Sequence, residues 1–483
     1  MIETLLLQLR DARKHSVAFE SASRSWSFGG FLADVRKAAH ALESLRDSGC
    51  STVGIKCKNY YQHWVLIFAL ERLGLASASF QNDFGPSFQT YLNVIKPDFF
   101  LSDEPLITDL KHYVVDDAWF KQVLNQENNN SVSYESRDFC RIGVAAGTGS
   151  EPQKIGLRRS DIERNISQII NSDILSLSEK AKREHFSVLC CIGIDILAGY
   201  QIVLSALAAG CCIKIFDPVQ ISLIIARHEP TAIVVSPLHL EYVINSISPL
   251  SMAQDNLEII VVGGRLPAEL EKKTREKLSK KIYTLYGTEE AGIISVKKFD
   301  HHSEHKNAGV IVPWMDVQIV DGQNVALPVQ TEGRVRVRGN TVIDGYIGNV
   351  ENKNSQFQEG WFYPGDLGFI TNKKEIFITG RIDELVTFGG DKFDLRILDD
   401  ICKRFENIED GCVFSVPDEN GILMPWVAII CHTEIDGSAL SRRMHERYQN
   451  LPPITLIWVD RIPYRDDGSP NRQFLTQGIM NSR

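Results

Sequence analysis

Residues 282–292 read IYTLYGTEEAG, a strand-like run that ends in a glycine, a threonine and two adjacent carboxylates, Glu289 and Glu290. A strand that empties directly into such a turn leaves its acids at the carboxyl end of a sheet, the edge where parallel α/β folds bind ligands. The segments upstream say which kind of sheet it is. Between residues 187 and 296 the short apolar runs SVLCCI, CIKIF, AIVVS and EIIVV alternate with the helix-like LAGYQIVLSALAAG, the segment VQISLIIARH and a charged helix from Pro267 to Lys281. That alternation predicts a mostly parallel sheet covered by helices.

The same rhythm extends toward the N-terminus, where Leu32, Val35, Ala39, Leu42 and Leu45 form an apolar helical face and TVGIKC reads as a strand. Beyond residue 333 the texture changes. GRVRVRG alternates valine and arginine as a half-exposed strand does, and GWFYPGDLG (360–368) is rich in turn residues. From about residue 384, a helix near LRILDDICKRF and strands near CVFSV and WVAIIC predict a separate, small α+β domain.

Size and charge bound the function. At 483 residues the chain exceeds what one hydrophobic core usually supports, so a large domain and a smaller one are expected. With 52 Lys and Arg against 61 Asp and Glu, the net charge of −9 offers no basic field for nucleic acid or anionic lipid. The opening MIETLLLQLRDARKH is too short in apolar residues for a signal peptide, and no later run reaches membrane-spanning length, so a cytoplasmic protein without nucleic-acid or membrane partners is expected. Ten cysteines without any CxxC read as reduced, largely buried thiols. NQENNNSVS (125–133) and HHSEH (301–305) read as solvated loops rather than sites, the latter despite its three imidazoles.

VAAGTGSEPQKIGL (144–157) gathers small residues around Thr148 and Ser150 and then supplies Lys154. It has neither the spacing of a Walker loop nor the third glycine of a dinucleotide fingerprint, since Pro152 follows Gly147 and Gly149. Backbone N–H groups and hydroxyls of such a loop could wrap an anion; on the loop alone, a surface turn serves as well.

Taken together and in order, these stretches resemble the adenylate-forming superfamily of acyl-CoA synthetases, adenylation domains of peptide synthetases and luciferases. AGTGSEPQK is similar to the family's SGTTGxPKG, which implies a phosphate grip by Gly147, Thr148, Gly149 and Ser150, with Gln153 in the lysine position and Lys154 one place later as its substitute. Tyr286, Gly287, Thr288, Glu289 and Glu290 resemble YGxTE; the last glutamate, Glu290, inherits the magnesium, and Glu289 replaces a threonine. GGRLP, with Gly263, Gly264 and Arg265, is similar to the turn that lines the adenine. GWFYPGDLG makes Asp366 the acceptor of the ribose hydroxyls, a task a carboxylate suits because it accepts from both. Arg381 and Asp383 fall on GRxD, where the family places a nucleotide contact and a hinge, and TEGRVRVRGNTVIDGYIGN resembles GELxVxGxxVxxGYxN.

The resemblance implies a large N-terminal domain, residues 1–381, with a β-rich part from about 310 to 381, and a small C-terminal domain, 382–483, moving about a hinge. It also implies ATP or AMP and Mg2+ as cofactors, and transfer of an acyl group to CoA or to the phosphopantetheine of an acyl or peptidyl carrier protein. One departure matters. Where the family has PxTxxGKIxR, this chain reads PYRDDGSPNR (463–472), and Ser469 stands in the position of the lysine that offsets charge in adenylation. Three readings stay open: adenylation with Arg465, Lys392 or a partner supplying the charge; a degenerate member that binds nucleotide or acyl group without turnover; or a partial reaction from a supplied acyl adenylate. Asp195, in LCCIGIDILAGY, stands where acyl-CoA synthetases carry a histidine of the pocket wall. It could pair with a substrate ammonium or cap the helix that follows, and the cap is the favoured expectation.

Overall fold

The computed structural model describes residues 15–80, 88–105, 110–126, 134, 138–145, 152–171, 186–215, 225, 230–247, 253–299, 306–348, 356–382, 385–388, 391–418, 422–433, 435–448, 451–464 and 469–482. Near the N-terminus, the apolar stripe forms the helix Phe28–Ala41, whose first turn is closed by Ser27 accepting from the Gly30 amide; Phe31, Leu32, Val35 and Ala39 are buried on one face. The helix ends at Leu42, and Leu45 continues the buried face from a second, short helix, Glu43–Asp47.

Two sheets carry the large part of the chain. In the six-stranded one, the order His112–Val114, Phe99–Ser102, Thr52–Lys56, Ala76–Ser79, Arg141–Ala145, Gln153–Leu157 is parallel throughout except for the last hairpin. The second sheet has fifteen strands. Its parallel run passes through Val17–Glu20, Cys212–Lys214, Ser187–Cys190, Ala232–Val235, β1 (Glu258–Val261) and β2 (Lys281–Thr288). At β3 (Gly292–Lys298) the chain turns back antiparallel, and every later strand of this sheet, including β4 (Asp366–Ile370) and β5 (Glu375–Arg381), pairs antiparallel. The β-rich texture expected from about residue 310 thus begins at Gly292, as a direct extension of the parallel sheet.

Helix α1 (Leu197–Ala209) is apolar almost all round, and nearly every residue of it is buried. An all-round apolar helix needs cover on every side. Its Tyr200 stacks on Trp64 of the helix Tyr60–Arg72 at 5.6 Å, and both belong to the largest hydrophobic cluster.

Residues from 385 onward build a two-stranded sheet (Leu385–Phe388 with Asp391–Asp394) and a three-stranded one (Asp410–Pro417, Leu423–Ile430, Thr455–Trp458), covered by α2 (Leu395–Lys403), the helix Gly437–Arg447 and α3 (Arg472–Ser482). They bury a core of their own around Phe388, Phe393, Leu398, Val413, Val427 and Met444. Arg396, at the start of α2, reaches the large sheet through a 2.8 Å bond to the Thr379 carbonyl. All ten cysteines are free thiols. Among the described residues, no helix is long and apolar enough to cross a membrane.

Candidate functional site

β1 and β2 run parallel with Val261 level with Thr284, so the turn Gly263–Gly264–Arg265 and Tyr286 emerge together at the carboxyl edge of the sheet. β3 returns so closely that a Cβ at Gly287 would lie 2.2 Å from the Gly292 carbonyl oxygen, which explains the glycine of the YGT segment. The Tyr286 hydroxyl donates to Asp366 Oδ2 at 2.5 Å. Asp366 is the cross-strand partner of Arg381, whose Nη1 lies 3.3 Å from Oδ1. Asp366 is only 4% exposed. Burial, and then the adjacent carboxylate, push the Tyr286 phenol well above its usual range, so it remains the proton donor of the pair. Three residues from three sequence motifs therefore form one polar set.

The two glutamates of the same turn part ways. Glu290, 6% exposed, accepts from the Tyr346 hydroxyl at 2.7 Å, and its backbone carbonyl accepts from the Ile343 amide at 2.9 Å. Tyr346 belongs to the GYIGN stretch, so that motif now has a physical role: it braces the expected magnesium ligand. Glu289 instead turns its Oε2 to the Leu197 amide, 2.9 Å away at the start of α1. Burial, and then Glu290 beside it, push the Glu289 carboxyl up to about 8.

Asp195 does not cap α1, contrary to expectation. The N-cap is Ile196, which contributes no side-chain bond, and Glu289 supplies the acceptor from a distance. Asp195 is buried just ahead of the helix, and its charge supports that of Arg141, which is wholly buried. Arg141 donates to the Ile194 carbonyl at 2.5 Å and to Ser79 Oγ at 2.7 Å, joining the six-stranded sheet to the entry of α1.

Lys154 lies in the strand Gln153–Leu157, and its ammonium donates to the Ile95 carbonyl at 2.7 Å, so here it serves a neighbouring helix end. Gly147, Thr148, Gly149, Ser150, Asp383, Arg465 and the HHSEH run lie outside the described residues. Thr288 is in place at the end of β2, its hydroxyl accepting from the Ala291 amide at 3.1 Å. Arg265 is exposed and within electrostatic reach of Arg396 and Asp400 on α2, so the adenine-like turn faces the C-terminal residues. Lys392 pairs with Thr387 through its backbone, and its side chain lies outside what is described.

Ser469 is half-buried in a loop braced at both ends. Tyr464 pairs with Pro470 across the loop, donates to the Asp410 carboxylate at 2.7 Å and accepts from Lys403 at 2.9 Å. On the far side Arg472 forms a two-point pair with Asp399, at 2.6 and 3.1 Å, and also donates to the Val413 carbonyl. Neither brace was foreseen, although Arg472 was visible as the arginine that closes the motif.

A parallel-rich sheet extended by antiparallel strands, with a buried carboxylate held by a tyrosine and an arginine at its carboxyl edge, fits an α/β protein of the adenylate-forming type. The sequence pattern of the AMP-binding enzyme family matches residues 8–347, and the chain belongs to that family. It is 26% identical to 4-coumarate-CoA ligase 1 of Narcissus pseudonarcissus over 361 residues, covering 70% of this chain and 64% of that relative, which is therefore spanned over less than two thirds of its length. Its fold is similar to that of the o-succinylbenzoate-CoA synthetase MenE of Bacillus subtilis in complex with AMP, with a TM-score of 0.81 at 17% identity over 98% of this chain and 97% of the other. It is likewise similar to ATP-bound MatB of Rhodopseudomonas palustris, with a TM-score of 0.81 at 18% identity over the whole of both chains.

Proposed function

We propose that the chain is an acid–thiol ligase that activates a small carboxylic or amino acid with ATP as an acyl-AMP and passes the acyl group to a thiol, of CoA or of a carrier protein's phosphopantetheine. The observation that carries this reading is the Tyr286–Asp366–Arg381 set at the carboxyl edge of β2. Asp366 accepts from the ribose hydroxyls, Arg381 pairs with its carboxylate through one oxygen, and Tyr286 orients it through the other. Gly263, Gly264 and Arg265 line the base on the adjacent strand end. Bound magnesium would neutralise charge between the phosphates, and the pinned Glu290 carboxylate suits a hard cation that takes one or two carboxylates together with phosphates. Asp195, just ahead of α1, would meet the ammonium of an amino substrate, while Gly147 to Ser150 would cradle the phosphates.

Residues 382–483 act as a second unit turning about Asp383 between the two half-reactions, because one small unit has to present different faces to one site. A second reading is favoured by Ser469. A hydroxyl cannot offset the charge that builds as carboxylate attacks the α-phosphate, so a protein that binds nucleotide and turns over little, or runs only the thiol step, fits that position. Pyrophosphate release across a panel of amino, aryl and fatty acids, each with and without CoA, distinguishes them. Release with one class of acid supports the ligase. Nucleotide binding with no release for any acid supports the second reading.

A further inference from the structure

The first amides of a helix have no partners within it, and in a buried helix water cannot serve them. At α1 the N-cap residue, Ile196, offers no side-chain acceptor, and the helix is buried on all sides. The acceptor comes from Glu289, 92 positions further along the chain, at 2.9 Å from the Leu197 amide, and the Ala198 amide lies close to the same carboxyl group. Three residues earlier, on β2, Tyr286 holds Asp366. On the other side of the helix entry, Arg141 grips the Ile194 carbonyl at 2.5 Å. Asp195 thus sits between two backbone groups, each fixed by a polar side chain from elsewhere in the fold.

We propose that Glu289 is a positioning residue that caps α1 from the nucleotide strand and so couples occupancy of the nucleotide site to the order of the helix start that carries Asp195. The coupling rests on the nucleotide site assigned above. It follows from rigidity: the segment Tyr286–Glu290 has one polar anchor on Asp366, a second on Tyr346 and a third on α1, so a ligand that fixes Asp366 also fixes the cap. A threonine at position 289, as in the family pattern, would end two bonds from the backbone; the glutamate extends two carbons further, toward the helix.

Hydrogen–deuterium exchange resolved to the Leu197 and Ala198 amides tests this in the full chain, with and without MgATP, for the unmodified protein, Glu289→Ala and Glu289→Gln. Without nucleotide, Glu289→Ala should exchange about fivefold faster at these amides, as loss of an ordinary helix cap implies, while Glu289→Gln, which keeps a carbonyl acceptor, stays near the unmodified rate. MgATP should slow both amides in the unmodified protein and in Glu289→Gln but not in Glu289→Ala. Unchanged exchange in Glu289→Ala, or ATP-dependent slowing that survives in it, overturns the proposal. So does ATP binding, seen by calorimetry, with no slowing in the unmodified protein. Absence of ATP binding would overturn the nucleotide site itself and the coupling with it, while the nucleotide-free comparison still decides whether Glu289 caps the helix.

Discussion

At the carboxyl edge of the large sheet, the charged groups interlock around a site: Asp366 is held by Tyr286 and Arg381, and Glu290 by Tyr346. In the loop before α3 the charged groups interlock just as tightly, but around the backbone. Arg472 on Asp399 and Tyr464 between Lys403 and Asp410 fix the two ends of the loop, and the residue they present between them is Ser469. The contrast shows that paired charges can serve two ends: holding a carboxylate in place in one region, and holding the backbone on either side of Ser469 in the other.

The strongest way to break this comparison is to remove a brace. Arg472→Ala leaves the Asp399 carboxylate buried and unpaired, and should cost about 3–5 kcal/mol in the unfolding of the C-terminal residues, read by urea denaturation. Nucleotide affinity at the large sheet should change little. A comparable loss of both would mean that the two regions do not behave independently.

Acid should separate the regions by a different route. His63, in the large part, is wholly buried between the Cys57 carbonyl and Ser79 Oγ, and burial holds it down to about 3. Its unfolded value is higher, so the unfolded state binds more protons as the pH falls from about 6.5 toward 3. The stability contribution is therefore complete above pH 6.5 and is lost on acidification, by about 2–3 kcal/mol between pH 7 and pH 4.5. Unfolding followed against pH should show this slope, and His63→Gln should flatten it. An unchanged slope in that variant would place the acid sensitivity elsewhere.

The gentlest perturbation sharpens the comparison. Ser469→Lys should raise acyl-adenylate formation with a cognate acid by about tenfold, in turnover more than in the apparent affinity for ATP, because the charge is needed as the transition state forms. Slower adenylation in Ser469→Lys would show that another cation already fills the role.

Much of the site was legible from sequence because its residues sit at strand ends inside short motifs. Tyr286, Asp366 and Arg381 were all placed that way, and the parallel order of β1 and β2 brings the first of them beside the Gly263 turn. What could not be read was tertiary. Asp195 looked like a local cap because it stands two residues ahead of Leu197, but helix starts are uncertain by a residue or two, and the cap belongs to a glutamate from another motif. Arg141 was hidden inside RIGVA, which reads as an apolar strand, and nothing local announces a buried guanidinium. The pairing of Arg472 with Asp399 spans 73 positions and two elements, and sequence periodicity carries no trace of it.

The account rests on Asp366 as the anchor of a nucleotide site, and calorimetric titration of MgATP and of AMP tests that most directly. The unmodified protein should bind both at one site, Asp366→Ala should weaken each at least about tenfold, as loss of a charged hydrogen-bond acceptor implies, and Arg472→Ala should bind nearly as well as the unmodified chain. No binding of either nucleotide to the unmodified protein, or equal binding by Asp366→Ala, would contradict it.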